Sequence, residues 1–207
     1  MTNSTTHHHD DLRTAIIEEA ITIAEDEGFS TLSIRAIARR LGVSHAAPAR
    51  HFASRAELLA GVAAAAYSLF ADELEKGGQG KLSGCARLSA LGSAYVSFAL
   101  RRPALFRLMF NPEVTELAAT SLKDLRIAAD RAYGILSSAV RCTLGSEASE
   151  EAIRNATLRA WSGAHGAAML WLDGPLRAMG KRNFMCWAEV SMAQLSHSIA
   201  DCMTASS

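Results

Sequence analysis

Positive charge is concentrated in one stretch of a chain that is neutral as a whole. The 207 residues include 21 Lys and Arg and 21 Asp and Glu, so the formal net charge is +0. Between residues 30 and 60, five arginines face one acid, Glu57, which leaves a local net charge of +4. The basic side chains are Arg35, Arg39, Arg40, Arg50 and Arg55, joined by His45 and His51. Clustered guanidinium groups bind phosphates, so this stretch is a candidate for contact with nucleic acid, the alternative being a solvated charged face.

Two short helical segments with a tight corner between them are expected to carry these side chains. The first begins after Ser33, a candidate N-cap, and places Ile34, Ile37, Ala38 and Leu41 on one apolar face. Gly42 permits the left-handed backbone that ends a helix, and Val43 is suited to burial between the helices. Ser44 is the expected cap of the second segment, which ends near Phe52. This order predicts a helix-turn-helix corner.

The remaining chain also favours helices. Alanine and leucine dominate, no segment alternates apolar and polar residues strictly, and the fold class is therefore predicted to be all-α with about nine helices. Helix 11–27 should precede the corner, and Ser54 with Glu57 has the spacing of a capping box for helix 54–76. The later helices are expected at 83–101, after Pro103, and at 113–144, 149–172 and 182–203. The chain is expected to divide into a disordered tail at 1–10, a helix-turn-helix domain at 11–60 and a second helical domain at 61–207.

The segment 12–62 resembles the DNA-binding domain of the TetR family of bacterial transcriptional regulators. The matching motifs are EDEGF, SIRAIARRLGVS, the His51-Phe52 pair and SRAELL. The resemblance implies a homodimer whose two recognition helices enter successive major grooves of a near-palindromic operator, about 34–36 Å apart. It implies that Ser44 caps the recognition helix, that Phe52 lies in the core and that no enzyme activity is expected. The DNA-contacting residues that it implies are Arg35, Ser44, His45, Ala46, Ala47, Arg50, His51 and Arg55, with Arg35 and Arg55 on phosphates.

Two positions depart from the common family pattern. Pro48 lies in the first turn of a short helix, where a missing N–H costs little. The family usually has a phosphate-contacting Tyr where this chain has Ala49. Ala49 lacks the hydroxyl donor and the aromatic ring, and Arg50 is the candidate to compensate.

The carboxyl-terminal half resembles one TetR subgroup, through AYVSFALRRPALFRLMF (94–110) and the Trp/His/Gly-bearing AWSGAHGAAMLWLDGPL (160–176). In that subgroup this half binds a small molecule and forms the dimer. The resemblance therefore implies a DNA-binding domain at 11–60 and a regulatory and dimerisation domain at 61–207. The spacing of the last helix independently predicts a helix-packing seam, and the helix before it has a row of small residues. The expected dimer residues are Ala160, Ala164, Ala168, Met185, Ala188, Met192, Leu195 and Ile199. The alternative is that these residues pack the core of a single chain.

A ligand site is expected among aromatic side chains of the same half. Trp161 and His165 lie one helical turn apart on the same face. The expected ligand-binding residues are Phe98, Phe106, Met109, Tyr133, Trp161 and His165, and such a lining favours an apolar or aromatic effector. Core packing and a hydrogen-bonded core histidine are the alternative explanation.

Other functional classes have weaker support in the sequence. No nucleophile-elbow, zinc-protease, P-loop or dinucleotide-binding motif is present, and the cysteines at 85, 142, 186 and 202 lack metal-site spacing, so neither cofactor nor metal is expected. The apolar run 60–71 is shorter than the roughly 20 residues of a membrane helix. No secretory signal precedes the scattered cysteines, so the expected location is the cytoplasm. The expected function is a ligand-responsive repressor, and the alternatives are an all-α enzyme or a helical interaction protein.

Overall fold

The computed structural model describes residues 4–80, 84–120 and 123–204, and these contain ten α-helices and no strand. The all-α prediction is confirmed for this part of the chain. Short 3-10 turns occur at Phe29–Thr31 and Arg177–Met179. The helices are α1 (Ser4–Glu27), α2 (Ile34–Leu41), α3 (Ala46–Ala49), α4 (Arg55–Gly77), α5 (Gly84–Arg101), α6 (Pro103–Met109), α7 (Pro112–Thr120), α8 (Lys123–Leu144), α9 (Glu150–Leu172) and α10 (Lys181–Thr204).

Two helix boundaries differ from the expectation. Helix α1 begins at Ser4, within the segment that was expected to be a disordered tail, whereas residues 1–3 lie outside the described part. The single helix expected over 113–144 is two helices, α7 and α8, on either side of residues 121–122, which also lie outside it. This division accounts for the difference between nine expected helices and ten.

Local capping explains where the helices of the corner begin and end. The Ser33 hydroxyl accepts the Ala36 N–H at 3.1 Å, and Gly42 ends α2 with a left-handed φ of 67°. At the start of α4 the Ser54 hydroxyl accepts the Glu57 N–H at 3.1 Å, while the Glu57 carboxylate accepts the N–H of Ala53 at 2.8 Å. These contacts confirm the caps predicted at Ser33 and at Ser54 with Glu57, and they satisfy N–H groups that a helix start leaves without partners.

The chain divides into two compact units. The first, which we call the head, comprises Met1–Tyr67 and Arg102–Ala129, so it contains α6 and α7 in addition to the expected helix-turn-helix. The buried residues of α1, α2 and α6 include Ile16, Ile23, Ile37, Leu105 and Phe106. Their alternation with exposed residues at helical spacing is what makes these helices pack together.

The second unit comprises Ser68–Arg101 and Asp130–Ser207 and is built on α5, α9 and α10, which pack against one another. Its core includes Val96 of α5, Ala167 of α9, and Phe184 and Ala188 of α10. Small residues permit the close approach of these helices. A Cβ added to Gly163 of α9 would lie 2.5 Å from Cδ2 of Leu195 in α10.

Candidate nucleic-acid interface and aromatic cluster

The corner between α2 and α3 presents a short, mostly exposed surface. Val43, which follows Gly42, donates its N–H to the carbonyl of Ala38 at 3.0 Å and is half-buried. The Ser44 carbonyl accepts the N–H of Ala47 at 3.0 Å. His45, rather than Ser44, occupies the N-cap position of α3, and no side chain caps that helix. The expected capping role of Ser44 is therefore wrong, because the N-cap of α3 lies one residue later than predicted.

Most side chains that were expected to contact DNA are accessible. Phe52 is only 2% exposed, so its predicted role in the core is confirmed, and the Arg13 guanidinium carbon lies 5.3 Å from its ring centroid. Pro48 is buried in α3, where its carbonyl accepts the N–H groups of His51 and Phe52. The exposed residues of the corner are Ser44, His45, Ala46, Ala49 and Arg50, whereas Ala47 and His51 are half-buried.

The arginines of the head differ in how much of their charge is compensated. Arg40 forms ion pairs with Glu19 and Glu27 of α1, so its positive charge is largely balanced. Arg35, Arg39 and Arg50 are exposed and make no ion pair within the described residues. Arg39 belongs to the predicted basic stretch but is not among the predicted DNA-contacting residues, although its spacing of four from Arg35 puts both on one face of α2. Arg35, Arg39 and Arg50 are therefore available to bind the phosphates of DNA.

Arg55 is engaged within the protein. Its Nε donates to the carbonyl of Leu32 at 3.2 Å, and one terminal nitrogen donates to the carbonyl of Phe29 at 3.3 Å. The other terminal nitrogen lies 3.4 Å from the Glu113 carboxylate. These contacts hold the Arg55 side chain against the turn before α2, so its guanidinium does not simply extend into solvent.

A hydrogen-bonded group of aromatic side chains lies in the second unit. The Trp161 indole donates to the Tyr95 hydroxyl oxygen at 3.2 Å, and that oxygen lies 2.8 Å from Nδ1 of His165. Both contacts are satisfied if the Tyr95 hydroxyl donates to Nδ1 of a neutral imidazole whose proton is on Nε2. Burial lowers the pKa of His165, which favours this neutral form.

Ring contacts extend this group to two further predicted residues. Tyr133 meets Trp161 edge to face with ring centroids 6.4 Å apart, and Phe70 contacts both Tyr95 and Phe98 at about 5 Å. Tyr95 and Phe70 were not predicted, although Tyr95 is three residues before Phe98 on the same helical face. We call Phe70, Tyr95, Phe98, Tyr133, Trp161 and His165 the aromatic cluster.

The other two expected ligand residues lie in the head. Phe106 and Met109 are fully buried in α6, and the Phe106 ring contacts Phe110 with centroids 5.1 Å apart. The Met109 carbonyl accepts a hydrogen bond from the Tyr67 hydroxyl. The structure therefore assigns the two residues to the packing of α6.

Most of the expected dimer residues pack within one chain. Ala164 and Ala168 of α9 and Ala188 and Met192 of α10 are buried without any second subunit. A Cβ on Gly92 of α5 would lie 2.8 Å from Met192, which shows how closely these helices pack. Ala160 and Ile199 are likewise buried, and Met185 and Leu195 are half-buried. Six of the eight residues therefore fit the alternative, packing within one chain, and a dimer contact at Met185 and Leu195 stays a prediction.

Two kinds of feature are absent from the described residues. No helix among them combines the length and apolarity needed to cross a membrane. They also contain no group of three or more His, Cys, Asp or Glu side chains placed to hold a metal ion.

Comparisons with known proteins agree with this architecture. Solved structures with the same fold include a protein of unknown function from Rhodococcus sp. RHA1, with 28% identity, a TM-score of 0.72 and coverage of 88% of this chain and 94% of that chain. PfmR, a TetR family transcriptional regulator from Thermus thermophilus, has 20% identity, a TM-score of 0.57 and coverage of 90% and 97%. A TetR variant from Acinetobacter baumannii AYE, in complex with minocycline, has 15% identity, a TM-score of 0.61 and coverage of 91% and 96%.

No curated protein sequence matches the chain. Family models match twice. Residues 16–62 match the bacterial regulatory proteins of the tetR family, and residues 88–190 match the tetracyclin repressor-like C-terminal domain. The first match covers the helix-turn-helix, and the second runs from α5 into α10. The chain therefore belongs to the TetR family, whose members are DNA-binding transcriptional regulators and not enzymes.

Proposed function

We propose that this DNA-binding regulator is a repressor that binds a near-palindromic operator as a homodimer and is released by a small effector. The observation that carries the proposal is the exposed trio of Arg35, Arg39 and Arg50 around the helix-turn-helix corner. None of the three forms an ion pair among the described residues, so each is available to a phosphate. The other arginines of this stretch, Arg40 and Arg55, are balanced by acids of the head, which limits non-specific adhesion to DNA.

The proposed dimer surface uses exposed apolar residues of α9 and α10. Large apolar side chains that are 40% or more exposed occur on both helices: Leu158 and Leu170 on α9, and Trp187 and Val190 on α10. The Trp187 ring packs against the buried Phe184 ring, with ring centroids 5.7 Å apart. Exposed apolar side chains of two packed helices are suited to a four-helix interface with the same surface of a second copy.

The proposed effector site is the partly exposed end of the aromatic cluster. Tyr133 is exposed, and Trp161 and His165 are half-buried, so these three side chains are accessible from outside the unit. The rings favour an apolar or aromatic ligand, and the imidazole supplies one polar contact. The TetR variant from Acinetobacter baumannii AYE, which has the same fold, is in complex with minocycline, and this supports a small-molecule ligand for the present chain.

A titration of DNA tests the proposal. The full-length chain is mixed with labelled DNA from upstream of its own gene at two salt concentrations, with a scrambled duplex as the control. Saturable binding to the upstream DNA alone is expected, and substitution of Arg35 and Arg39 by Ala should weaken it. Equal binding of the two duplexes would contradict a sequence-specific operator.

Repression and effector binding are separate claims of the proposal, and each is tested by its own measurement. A reporter gene placed behind the upstream DNA should be expressed less when the regulator is present, and greater expression would contradict repression. Quenching of Trp161 fluorescence by a panel of aromatic compounds, compared with the variant Trp161→Phe, would identify a ligand at the cluster.

A further inference from the structure

The guanidinium of Arg55 joins three separate parts of the head. Arg55 is the first residue of α4, and its nitrogens reach the Phe29 carbonyl, the Leu32 carbonyl and the Glu113 carboxylate at 3.2–3.4 Å. Phe29 begins the 3-10 turn that precedes α2, and Glu113 lies in the first turn of α7. One planar group with fixed donors therefore ties the start of α4 both to the turn before α2 and to α7.

The two carbonyls matter because they lie directly before the first helix of the DNA-binding corner. Leu32 is 1% exposed, and the next residue, Ser33, caps α2 through its hydroxyl. Holding the Leu32 carbonyl thus fixes where α2 begins relative to α4. Helix α2 in turn carries Arg35 and Arg39, which the proposed function assigns to phosphates.

Glu113 is itself held in place. Its N–H donates to the Asn111 side-chain oxygen at 2.9 Å, which caps the start of α7. The carboxylate orients Arg55 and balances its charge, so that the guanidinium favours the two carbonyls over solvent. The Arg55 and Glu113 side chains are 42% and 49% exposed, which makes the ion pair weak in stability but sufficient to direct one side chain.

We infer that Arg55 is a positioning residue, which sets the geometry of the DNA-binding corner from within the head, and not the phosphate contact that its place in the sequence suggests. Glu113 is its partner in that role. The inference rests on the proposed operator binding, and it predicts behaviour opposite to that of a phosphate contact for two conservative substitutions.

The first substitution is Arg55→Lys. Lysine keeps the positive charge but has no planar fork, so it cannot reach three acceptors at once. Operator affinity should fall by about 10- to 100-fold, as expected for losing hydrogen bonds of a charged donor. A phosphate contact would instead survive, since lysine binds phosphate as a point charge. Affinity within about twofold of the unmodified chain would overturn the inference.

The second substitution is Glu113→Gln. If Arg55 positions the corner, removing the carboxylate charge should weaken operator binding, and adding Glu113→Gln to Arg55→Lys should have little further effect. If Arg55 binds phosphate, Glu113 competes with DNA for it, and Glu113→Gln should tighten binding. Tighter binding would therefore count against the inference.

Salt dependence provides the matched control. Arg39→Ala should lower the slope of log affinity against log salt by about 0.9 for each protomer, the value for one lost phosphate contact. Arg55→Gln, which removes the charge, should lower affinity and leave the slope unchanged, whereas a phosphate contact at Arg55 would lower the slope as Arg39→Ala does.

A measurement without DNA separates this inference from the proposed function. Amide hydrogen exchange at residues 31–36 should be faster in Arg55→Lys than in the unmodified chain, with exchange in α9 unchanged. Faster exchange in a chain that binds no operator would refute only the proposed function. Unchanged exchange would refute the positioning role.

Discussion

The Tyr95 hydroxyl oxygen lies 2.8 Å from Nδ1 of His165, in a contact between α5 and α9 that joins residues 70 positions apart in the chain. The same oxygen accepts the Trp161 N–H, and with a neutral imidazole the Tyr95 hydroxyl can donate its own proton to Nδ1. Burial lowers the pKa of His165 below its ordinary value of 6.5 and favours that form as well. Protonation of His165 at low pH should therefore disturb this contact and with it the aromatic cluster.

The stability of the chain should depend on pH through His165. As the pH falls below 6.5, the unfolded chain binds a proton at this residue before the folded chain does, so stability is lost. Urea unfolding at several pH values between 5 and 8 should show a smaller loss for His165→Gln than for the unmodified chain. Tyr95→Phe is the control, because it retains the burial that causes the shift. Parallel curves for the unmodified chain and His165→Gln would contradict the prediction.

Removing one hydroxyl from the head should destabilise it. The Tyr67 hydroxyl donates to the Met109 carbonyl at 3.0 Å, at the carboxyl end of α6, and burial raises the pKa of Tyr67 to about 12. Tyr67→Phe leaves that carbonyl without its donor, which should lower the free energy of unfolding by about 1–2 kcal/mol. Tyr133→Phe is the control, since Tyr133 is exposed and its hydroxyl makes no hydrogen bond within the described residues. Equal stabilities of the two variants would argue against the contact.

The close approach of α9 and α10 can be tested at a glycine. The Cβ of Gly163→Ala would lie 2.5 Å from Cδ2 of Leu195, the end of a half-buried, flexible side chain that must rotate away, so the gain in stability from the better helix former should be reduced or cancelled. A Cβ on Gly134 of α8 meets no atom within 4 Å, and Gly134→Ala should stabilise the chain by about 0.5–1 kcal/mol because alanine is the better helix former. Thermal unfolding compares the two. A gain at Gly163→Ala equal to that at Gly134→Ala would mean that Leu195 does not restrict this position.

Local features of this fold were predictable from the sequence, and contacts between distant residues were not. Ser33, Gly42 and Ser54 act on backbone groups within a few positions of themselves, so their residue types and spacing suffice to locate helix ends. The partner of Arg55 is 58 residues away, and no local pattern indicates that Glu113 reaches it. Arg55 was therefore expected to face solvent and DNA.

The sequence could not distinguish the expected dimer residues from residues that pack within one chain, for a different reason. Apolar residues at steps of three and four show that a helix packs against another helix, but they do not show whether that helix belongs to the same chain. Ala188 and Met192 fit the spacing and are buried by their own subunit. Trp187 and Val190, which lie outside that spacing on the same helix, became candidates only when their exposure was known.

The proposed dimer surface makes its own prediction. Val190→Glu places a charge on an exposed apolar position of α10, and it should weaken self-association without unfolding the subunit. Sedimentation at micromolar concentrations should show a dimer for the unmodified chain and a larger monomer fraction for the variant. Gln194→Glu, one turn further along the same helix and also exposed, adds the same charge at a polar position and is expected to have less effect. Undiminished dimers of Val190→Glu would place the interface elsewhere.

Restoring the family's usual residue at position 49 should strengthen DNA binding. Ala49 is exposed at the end of α3, so a larger side chain there need not displace the core. The hydroxyl of Ala49→Tyr would add one hydrogen-bond donor for a charged phosphate, worth about 1.5–3 kcal/mol or roughly 10- to 160-fold in affinity for each contact. The salt dependence should stay the same because no charge is added.

Ala49→Phe is the matched control, since it adds the ring without the hydroxyl. Operator titrations in which Ala49→Tyr and Ala49→Phe bind equally well would attribute the gain to ring contacts, and weaker binding by both would show that position 49 faces DNA too closely for an aromatic side chain.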